Sequence, residues 1–572
     1  MKIKLSLIFL VLALYIKAQD IPQHISYYKI YDFVDELANS GFYELNSAVK
    51  PYSRTLILEK LLEAQKQSEK LSKRQQAEIT FYLNDLAIEN NQLPTSNWQL
   101  WKNKNSKAAL LAPGIFYKDS LFKARITPAL GMNVLNNSSE TIIQRWIGAE
   151  FQASIGKNVT IYGSLRDFSN NGEKLSGYNY LNDQPGYQYK EASYGGDYSD
   201  SRGGIKISNK WGSIGLIKDN VIWGDNYHGS NILSGRAPSI PMITLHLKPA
   251  KWFEMNYLHA WLVSNEVDSS YYYLENGTNK SFRPANKFMA ANMFTFTPVK
   301  NLKISVGNSI IYAEKSIQGG YLIPIAFYKS IDHTLTKGLG TENQNSQMFM
   351  NVSSRNLKHT NLYSSIFIDE FNFERLKPSN KEANPISVKA GVFVSNFPIK
   401  NLSTVFEYTR SNILNYKHSI PLLTYASNSY NLGHYLGDNS QEMYVALQYK
   451  PFRGLDFKLF YTNAQHGNEY DYVRRGTSNG ITGKVDGIIS QPSLGEVIWK
   501  NQTIGLHGTF EVINNGYVFF KAENSNMEAF EPTLPATFGE NRMTAAETLE
   551  YYSPSFFQGN KLTISAGFSF GF

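Results

Sequence analysis

Two residues of a glycine-rich segment could form a nucleophile and its base. His228 and Ser230 lie two positions apart in the run His-Gly-Ser-Asn, and an imidazole close to a hydroxyl can take its proton during catalysis. Such a pair also needs a polar residue that orients the imidazole, and the sequence identifies none. The pair lies among glycines in a predicted loop, not on the alternating face of a strand, so we expect no catalysis here.

The surrounding segment, residues 219–240, is dense in side chains that suit a carbohydrate. Trp223 offers an apolar face, Asp225 and His228 offer polar groups, and Arg236 could pair with an acidic sugar through two parallel hydrogen bonds. The alternative is a loop that folds into the interior and is fixed by its own hydrogen bonds, which is the interpretation we favour. All four residues remain candidates for a binding site.

A second candidate surface is rich in tyrosine. Residues 169–200 interleave tyrosines with Gly, Asn and Asp, and a further run lies at 271–273. Tyrosine presents an apolar body and a polar tip at low entropic cost, as carbohydrate recognition requires. Some of these rings could instead form an aromatic girdle or pack loops together. The candidates in the first segment are Tyr178, Tyr180, Tyr187 and Tyr189.

Composition excludes several other chemistries. The chain has no Cys, which excludes disulfides and cysteine-ligated metals. Its histidines show no metal-ligand spacing and its paired glycines no phosphate-cradle context, so we expect no metal and no cofactor. The formal net charge of +8 is spread thinly over 572 residues and forms no basic block of the kind that nucleic-acid binding needs.

The last residues read as a β-strand with one apolar face. Leu562, Ile564, Ala566, Phe568, Phe570 and Phe572 fall on every second position, with small or polar residues between them. This pattern is typical of the closing strand of bacterial outer-membrane β-barrels. The assembly machinery reads the terminal aromatic in such proteins, so Phe568, Phe570 and Phe572 form a candidate assembly signal.

The same period of two recurs from residue 121 onward and predicts about 18 strands. Their connections alternate between short and long, as short periplasmic turns and long external loops do in outer-membrane barrels. The lumen-facing residues Lys389, Glu407, Asp456 and Lys458 have mixed charge and could form a salt-bridged plug or a weakly selective channel. The predicted fold is therefore mostly β, a transmembrane antiparallel barrel with a small N-terminal α-helical module.

The N-terminal region has a different character. Lys2 and Lys4 precede a short apolar run that ends near Ala18, a pattern that predicts a secretory signal peptide over residues 1–18. Residues 19–115 show helical spacing, including a capping box that starts at Ser72. We therefore predict a periplasmic helical module at 19–115 and an outer-membrane barrel with long extracellular loops at 116–572.

Two short stretches resemble a known family. One is Lys50-Pro51-Tyr52-Ser53-Arg54, and the other runs from Ile222-Trp223-Gly224-Asp225 to Ala237-Pro238-Ser239-Ile240-Pro241. Together with the architecture they resemble the Wzi family of capsule-assembly outer-membrane proteins. The resemblance implies a protein that anchors or assembles capsular polysaccharide or exopolysaccharide at the cell surface, with the helical module at the periplasmic mouth.

These observations lead to one expected function and two alternatives. We expect a non-enzymatic outer-membrane protein that binds surface polysaccharide through its extracellular loops. A porin or substrate channel is the main alternative, and an outer-membrane hydrolase is the third. The expected partners are surface polysaccharide, outer-membrane lipid and the barrel-assembly machinery, without nucleic acid. The protein is expected to be a monomer with both termini in the periplasm.

Overall fold

A computed structural model describes most of the chain. The described residues are 20–96, 99–103, 107–172, 190–192, 195–336, 344–377, 379–380, 382–470, 491–535 and 540–571. The predicted signal peptide at 1–18, Tyr178, Tyr180, Tyr187, Tyr189 and Phe572 lie outside the described residues.

Eighteen antiparallel strands close into one barrel. The last strand, β18, pairs with the first, β1. In chain order, β1 to β18 are Phe122–Asn136, Thr141–Ile155, Val159–Asn171, Gly195–Asn209, Gly212–Asp219, Ile240–Ala250, Phe253–Leu262, Lys287–Val299, Leu302–Tyr312, Gln344–Ser354, Thr360–Ile368, Ile386–Ser395, Leu402–Ser411, Ser440–Tyr449, Leu455–Gly467, Val497–Ile513, Gly516–Ala529 and Gly559–Phe570. The predicted fold class is confirmed.

The alternation of side chains explains why these segments form a barrel wall. In β18, Leu562, Ile564 and Phe568 are exposed on the outer face, whereas Thr563 and Ser565 are buried on the inner face. Successive side chains of a strand point to opposite faces, so a period of two in the sequence becomes an apolar exterior and a polar interior. Apart from the short link between β1 and β2, the short turns lie at one end of the barrel and the long loops at the other.

The seam between the first and last strands is staggered. β18 pairs with β1 only from Leu130 to Asn136, as the register offset of a closed barrel requires. The first half of β1 pairs instead with Gly114–Lys118, which continues into Ala108–Leu111 and Gln99–Lys102. This three-stranded flap covers an edge that would otherwise be free, and all but its last residues lie within the range 19–115 predicted as a helical module.

Three helices form a bundle before the barrel. They are α1 at Tyr28–Asn39, α2 at Arg54–Gln65 and α3 at Lys73–Asp85. Ser72 accepts a hydrogen bond from the Gln75 backbone N–H, and the Gln75 side chain accepts one from the Ser72 N–H, so the predicted capping box is present. Apolar residues of all three helices, including Phe33, Leu61 and Ile79, share one core.

The bundle is attached to the short-turn end of the barrel by buried ion pairs and hydrogen bonds. Asp35 of α1 pairs with Arg355, which follows β10, at 2.7 Å. Tyr27 donates to Glu150 of β2 at 2.8 Å, and Tyr82 of α3 donates to Glu511 of β16 at 3.2 Å. The bundle thus contacts strands from the beginning, the middle and the end of the barrel.

Within the bundle, Glu36 and Arg74 form a buried ion pair. Burial alone would raise the pKa of Glu36, but the Arg74 guanidinium outweighs it and lowers that pKa to about 2. Arg74 also donates to Asn401 at 2.8 Å, in the turn between β12 and β13. One arginine therefore joins two helices to a barrel turn.

Two further helices lie in the long loops. They are α4 at Tyr328–Thr336 and α5 at Ala545–Tyr552. In the described part of the chain, no helix is long and apolar enough to cross a membrane.

Candidate functional site

The loop at 219–240 folds into the barrel and is held there by the wall. Asp225 forms an ion pair with Lys303 of β9 at 3.0 Å and accepts a hydrogen bond from Asn351 of β10 at 2.9 Å. Trp223 is 2 % exposed and packs edge-on against Phe349. The structural role that we favoured for this segment agrees with this geometry.

The same loop meets the N-terminal bundle inside the barrel. Ile222–Trp223 pairs with Val49–Lys50 as a two-residue antiparallel sheet. The Gly224 N–H donates to the Ala48 carbonyl at 2.8 Å. Gly224 has a φ of +97°, which favours glycine at this position. A segment from the long-loop end thus joins a segment from the short-turn end.

His228 and Ser230 have separate partners. The His228 ring stacks on Tyr444 with ring centres 3.7 Å apart, and its Nε2 lies 3.2 Å from Glu442. The Ser230 hydroxyl donates to the Trp223 carbonyl. These contacts fix the loop, and they do not assemble a hydroxyl with an imidazole base.

Arg236 packs inside the same region. Its guanidinium lies 5.1 Å from the centre of the Tyr435 ring, and the side chain is 7 % exposed. Contact of Trp223, Asp225, His228 or Arg236 with polysaccharide stays a prediction, since all four are mostly buried among protein groups.

Glu407 of β13 is the main anchor of this loop, and the sequence did not single it out for that role. It accepts hydrogen bonds from the Tyr227 N–H at 2.7 Å and the His228 N–H at 3.1 Å. Tyr363 donates to it at 2.6 Å, and Lys389 of β12 pairs with it at 2.6 Å. A charged residue on the inner face of a strand was the available signal, but its partner could not be read from sequence.

A second long loop, residues 411–439, folds over the first. Tyr416 donates to the Asn231 carbonyl at 2.7 Å, and Tyr425 donates to the Ile232 carbonyl at 3.1 Å. Both tyrosines and Ile232 belong to the largest apolar core inside the barrel. The two loops therefore pack against each other inside the barrel.

One small cavity lies where the loops meet the bundle. Its volume is about 10 Å³, which is room for about one water molecule. Its lining residues are Asp35, Ser47, Ala48, Lys50, Tyr52, Gly224, Asp225, Asn226 and Tyr227. Such a cavity is too small to hold a sugar ring.

An ionic cluster ties the long loops together. Lys417 pairs with Asp438 at 3.1 Å and with Glu469 at 2.5 Å, and Tyr552 of α5 donates to Glu469. Burial would raise the pKa of Glu469, but the Lys417 ammonium lowers it to about 2. Asp438, His466 and Glu469 have a spacing compatible with a metal ion, but the ammonium already supplies a cation to both carboxylates.

A tyrosine-rich hairpin extends from the barrel at the long-loop end. Its strands, Val267–Glu275 and Asn279–Pro284, occupy a segment that was predicted as a loop. Tyr271, Tyr272 and Tyr273 are each about half exposed. Arg283 lies 4.4 Å from the centre of the Tyr271 ring, and Lys280 lies 4.6 Å from that of Tyr272. Arg283 also pairs with Asp268 at 3.2 Å, so the hairpin offers aromatic faces next to Lys280 and to an arginine that is partly neutralised.

Comparison with known proteins identifies the family. Residues 153–503 match the sequence profile of the family described as capsule assembly protein Wzi. The solved structure of Wzi from Escherichia coli, described as an outer-membrane protein involved in group 1 capsule assembly and a carbohydrate-binding β-barrel, has a TM-score of 0.54. The two chains are 11% identical, and the match covers 97% of this chain and 100% of that one.

Other solved barrels are more distant. OccD3 from Pseudomonas aeruginosa has a TM-score of 0.39 at 10% identity, with 78% of this chain and 91% of that one covered. OccAB2 from Acinetobacter baumannii has a TM-score of 0.40 at 10% identity, with 79% and 99% covered. These values are too low to support a conclusion. A search of curated proteins found no match.

Proposed function

The chain belongs to the Wzi family of capsule assembly proteins, and we propose on this basis that it anchors capsular polysaccharide or exopolysaccharide through its exposed long loops. The observation that carries the proposal is the contrast between the long loops inside the barrel and the hairpin that extends outside it. Inside the barrel, two loops are engaged in contacts with each other and with the wall. Outside it, the hairpin at 267–284 exposes tyrosines beside cations.

The chemistry of the hairpin suits an acidic polymer. Aromatic faces contact the C–H surface of sugars, and phenol groups exchange hydrogen bonds with hydroxyls. Arg283 and Lys280 would attract carboxylate groups of the polymer. Tyr178, Tyr180, Tyr187 and Tyr189, which lie outside the described residues, are proposed as a second contact surface on the same grounds.

The proposal includes an orientation and a set of partners. Residues 1–18 would be removed as a signal peptide, and the bundle within 19–115 would lie in the periplasm below the barrel. Both termini would then be periplasmic, and the assembly machinery would read Phe568, Phe570 and Phe572. The protein would act as a monomer, surrounded by outer-membrane lipid and without catalysis.

A deletion strain tests the function directly. Loss of the gene should release polysaccharide into the medium while the total amount secreted stays the same. Complementation with the intact chain should restore the cell-attached fraction. A deletion strain that retains its full coat, or that stops secreting polymer altogether, would contradict an anchoring role.

A channel is the second candidate, and the packing of two long loops inside the barrel argues against it. Planar-bilayer recordings of the intact protein should show little or no steady current. A large and stable conductance would favour a porin.

A further inference from the structure

One long loop folds back on the outside of the barrel. Residues 313–336, which we call the outer clasp, follow β9 and end with α4. On β8, Met289, Ala291 and Met293 share a core with Trp223 of the lumen loop. Because side chains alternate along a strand, the intervening residues of β8 face outward, and these are the residues that the clasp covers.

The contact between clasp and wall is aromatic at its edges. Phe288 of β8 and Tyr312 of β9 pack with Tyr321 and Tyr328 of the clasp. Tyr257 of β7 donates a hydrogen bond to the Tyr321 carbonyl at 3.0 Å. Both clasp tyrosines are fully buried, so the clasp is packed closely against the wall.

Two asparagines form the polar centre of this contact. Asn292 and Asn308 are direct cross-strand neighbours on β8 and β9. The Asn292 amide donates to the Pro324 carbonyl at 3.0 Å and the Ala326 carbonyl at 2.8 Å. The Tyr328 N–H donates to the Asn308 side-chain oxygen at 2.9 Å.

The two asparagines also bond to each other. The Asn308 amide donates to the Asn292 side-chain oxygen at 2.7 Å, and Asn292 is 0 % exposed. Uncovered amides on the outer wall of a membrane barrel would face hydrocarbon without partners, which is costly. The presence of two amides on this outer face therefore indicates that the clasp covers the wall here.

The depth of the contact places it beside the membrane. At a rise of ~3.3 Å per residue and a tilt of ~40°, Asn292 lies about 18 Å above the short-turn end of β8 at Val299. The apolar band of such barrels is ~25 Å tall. The clasp thus descends from the long-loop rim to the upper part of that band.

Between Leu322 and Phe327 the free side of the clasp is apolar. Leu322, Ile323, Ile325 and Phe327 are exposed, and Ile325 reaches 71%. The outward residues Phe296 and Val306 of the same two strands are also exposed, as expected for a lipid-facing wall. The apolar surface therefore continues from the barrel wall onto the clasp.

We propose that the outer clasp is embedded in the membrane leaflet at the long-loop end, where its exposed apolar side chains bind lipid acyl chains. Because the apolar surface of the clasp continues the lipid-facing surface of the barrel wall, we identify lipid as the molecule that covers the clasp. The Pro324 and Ala326 carbonyls accept hydrogen bonds from Asn292 of the wall, as expected of non-helical backbone that lies at membrane depth.

Site-specific labelling can test the proposal, because the chain contains no native Cys. The variants Ile325→Cys, Val306→Cys and Thr278→Cys would carry an environment-sensitive fluorophore on the clasp, the bare wall and the hairpin tip respectively. Each labelled protein would be reconstituted in phosphatidylcholine vesicles with nitroxide-labelled lipid. We expect quenching at 325 to match that at 306 and to exceed that at 278 several-fold.

A label at 325 that responds like that at 278, with quenching by aqueous iodide but not by lipid nitroxide, would overturn the proposal. Efficient intermolecular disulfide formation by Ile325→Cys in vesicles would assign the surface to a second copy of the chain, and would overturn it as well.

The asparagine pair gives an independent test. On a bare lipid-facing wall, replacing amides with leucine should be neutral or stabilising. Here Asn292→Leu with Asn308→Leu should release the clasp, so that protease cuts within 313–336 while the barrel stays heat-modifiable on gels. Gln502→Leu is the matched control, since Gln502 shares the outward face of β16 with exposed Ile504 and Leu506 and donates to Tyr461 of β15 at 3.1 Å. An uncut clasp in the double variant would show that the amides do not seat it.

Discussion

Glu407 and Lys389 form an ion pair at 2.6 Å on neighbouring barrel strands, and each side chain is 1 % exposed. The pair does more than neutralise two buried charges. Glu407 also accepts the backbone N–H groups of Tyr227 and His228, so one carboxylate holds both the wall and the lumen loop. Removing it should affect permeability as well as stability.

Glu407→Leu should loosen the loop at 219–240 and raise the conductance of the barrel. The variant loses the acceptor for two backbone donors and leaves Lys389 without its carboxylate, a change that costs ~3–5 kcal/mol for a buried pair. Planar-bilayer recording and thermal unfolding would measure the two effects. In the control Glu407→Leu with Lys389→Met, stability should recover in part while conductance stays high. Unchanged conductance in both variants would mean that Glu407 does not hold the loop.

Removing the hairpin tyrosines should weaken polysaccharide retention without unfolding the barrel. Each lost aromatic contact is worth ~1 kcal/mol, so Tyr271→Ala, Tyr272→Ala and Tyr273→Ala together should visibly increase shed polymer. The hairpin lies outside the barrel sheet, so the unfolding temperature should change little. Leu274→Ala is the control, because it is also exposed but has no ring. Cells that express the triple variant normally and keep a full coat would exclude this surface.

The charge beside these rings predicts a salt dependence. Arg283→Ala should reduce binding of an acidic polymer more than that of a neutral one, and the difference should shrink as salt rises. Binding of purified polymers to the reconstituted protein would measure it. An equal loss for both polymers would show that Arg283 acts only by packing on Tyr271 and pairing with Asp268.

His228→Ala and Ser230→Ala should leave lipid hydrolysis at the blank level, as in the unaltered protein. The His228 ring is engaged with Tyr444 and Glu442, and the Ser230 hydroxyl with a backbone carbonyl. Release of fatty acid from phospholipid micelles is the measurement. Hydrolysis by the unaltered protein that disappears in either variant would establish an enzyme.

Lys417→Met should reverse the contribution of Glu469 to the pH dependence of the long loops. In the unaltered protein the pKa of Glu469 lies near 2, below its ordinary 4.5, so its contribution is complete above the ordinary value and is lost as pH falls toward 2. Without the ammonium, burial raises the pKa of the carboxyls, and the loops should instead loosen as pH rises. The expected loss at neutral pH is ~3 kcal/mol.

Limited proteolysis of residues 411–439 as a function of pH would measure this change. The control is Lys377→Met, which removes the lysine of an exposed ion pair with Glu374 and should have no effect. Identical pH profiles for Lys417→Met and the unaltered protein would contradict the role given to Lys417.

Local sequence patterns predicted more of the fold than of the candidate site. The alternation of apolar and polar residues identifies a strand within about ten residues, so β18 could be recognised from sequence. The capping box at Ser72 could be recognised because its residues are also close together in the chain. The partner of Glu407 lies 180 positions away, and the register that joins them depends on the whole barrel. The hairpin was missed because its tyrosines occupy both faces and hide the alternation.

The outer clasp was missed for a related reason. Asn292 and Asn308 could have signalled it, since an outward amide within an apolar strand needs a partner. Recognising them as one site required knowing that β8 and β9 place them side by side, and that knowledge comes with the structure.

The attachment of the helical bundle to distant strands has a consequence for biogenesis. Tyr27 bonds to Glu150 near the start of the barrel and Tyr82 to Glu511 near its end. Both contacts can exist together only after the ends of the sheet have met. Resistance of the bundle to protease should therefore show whether the barrel has closed. An assembly intermediate with an open seam should expose its N-terminal helices to cleavage.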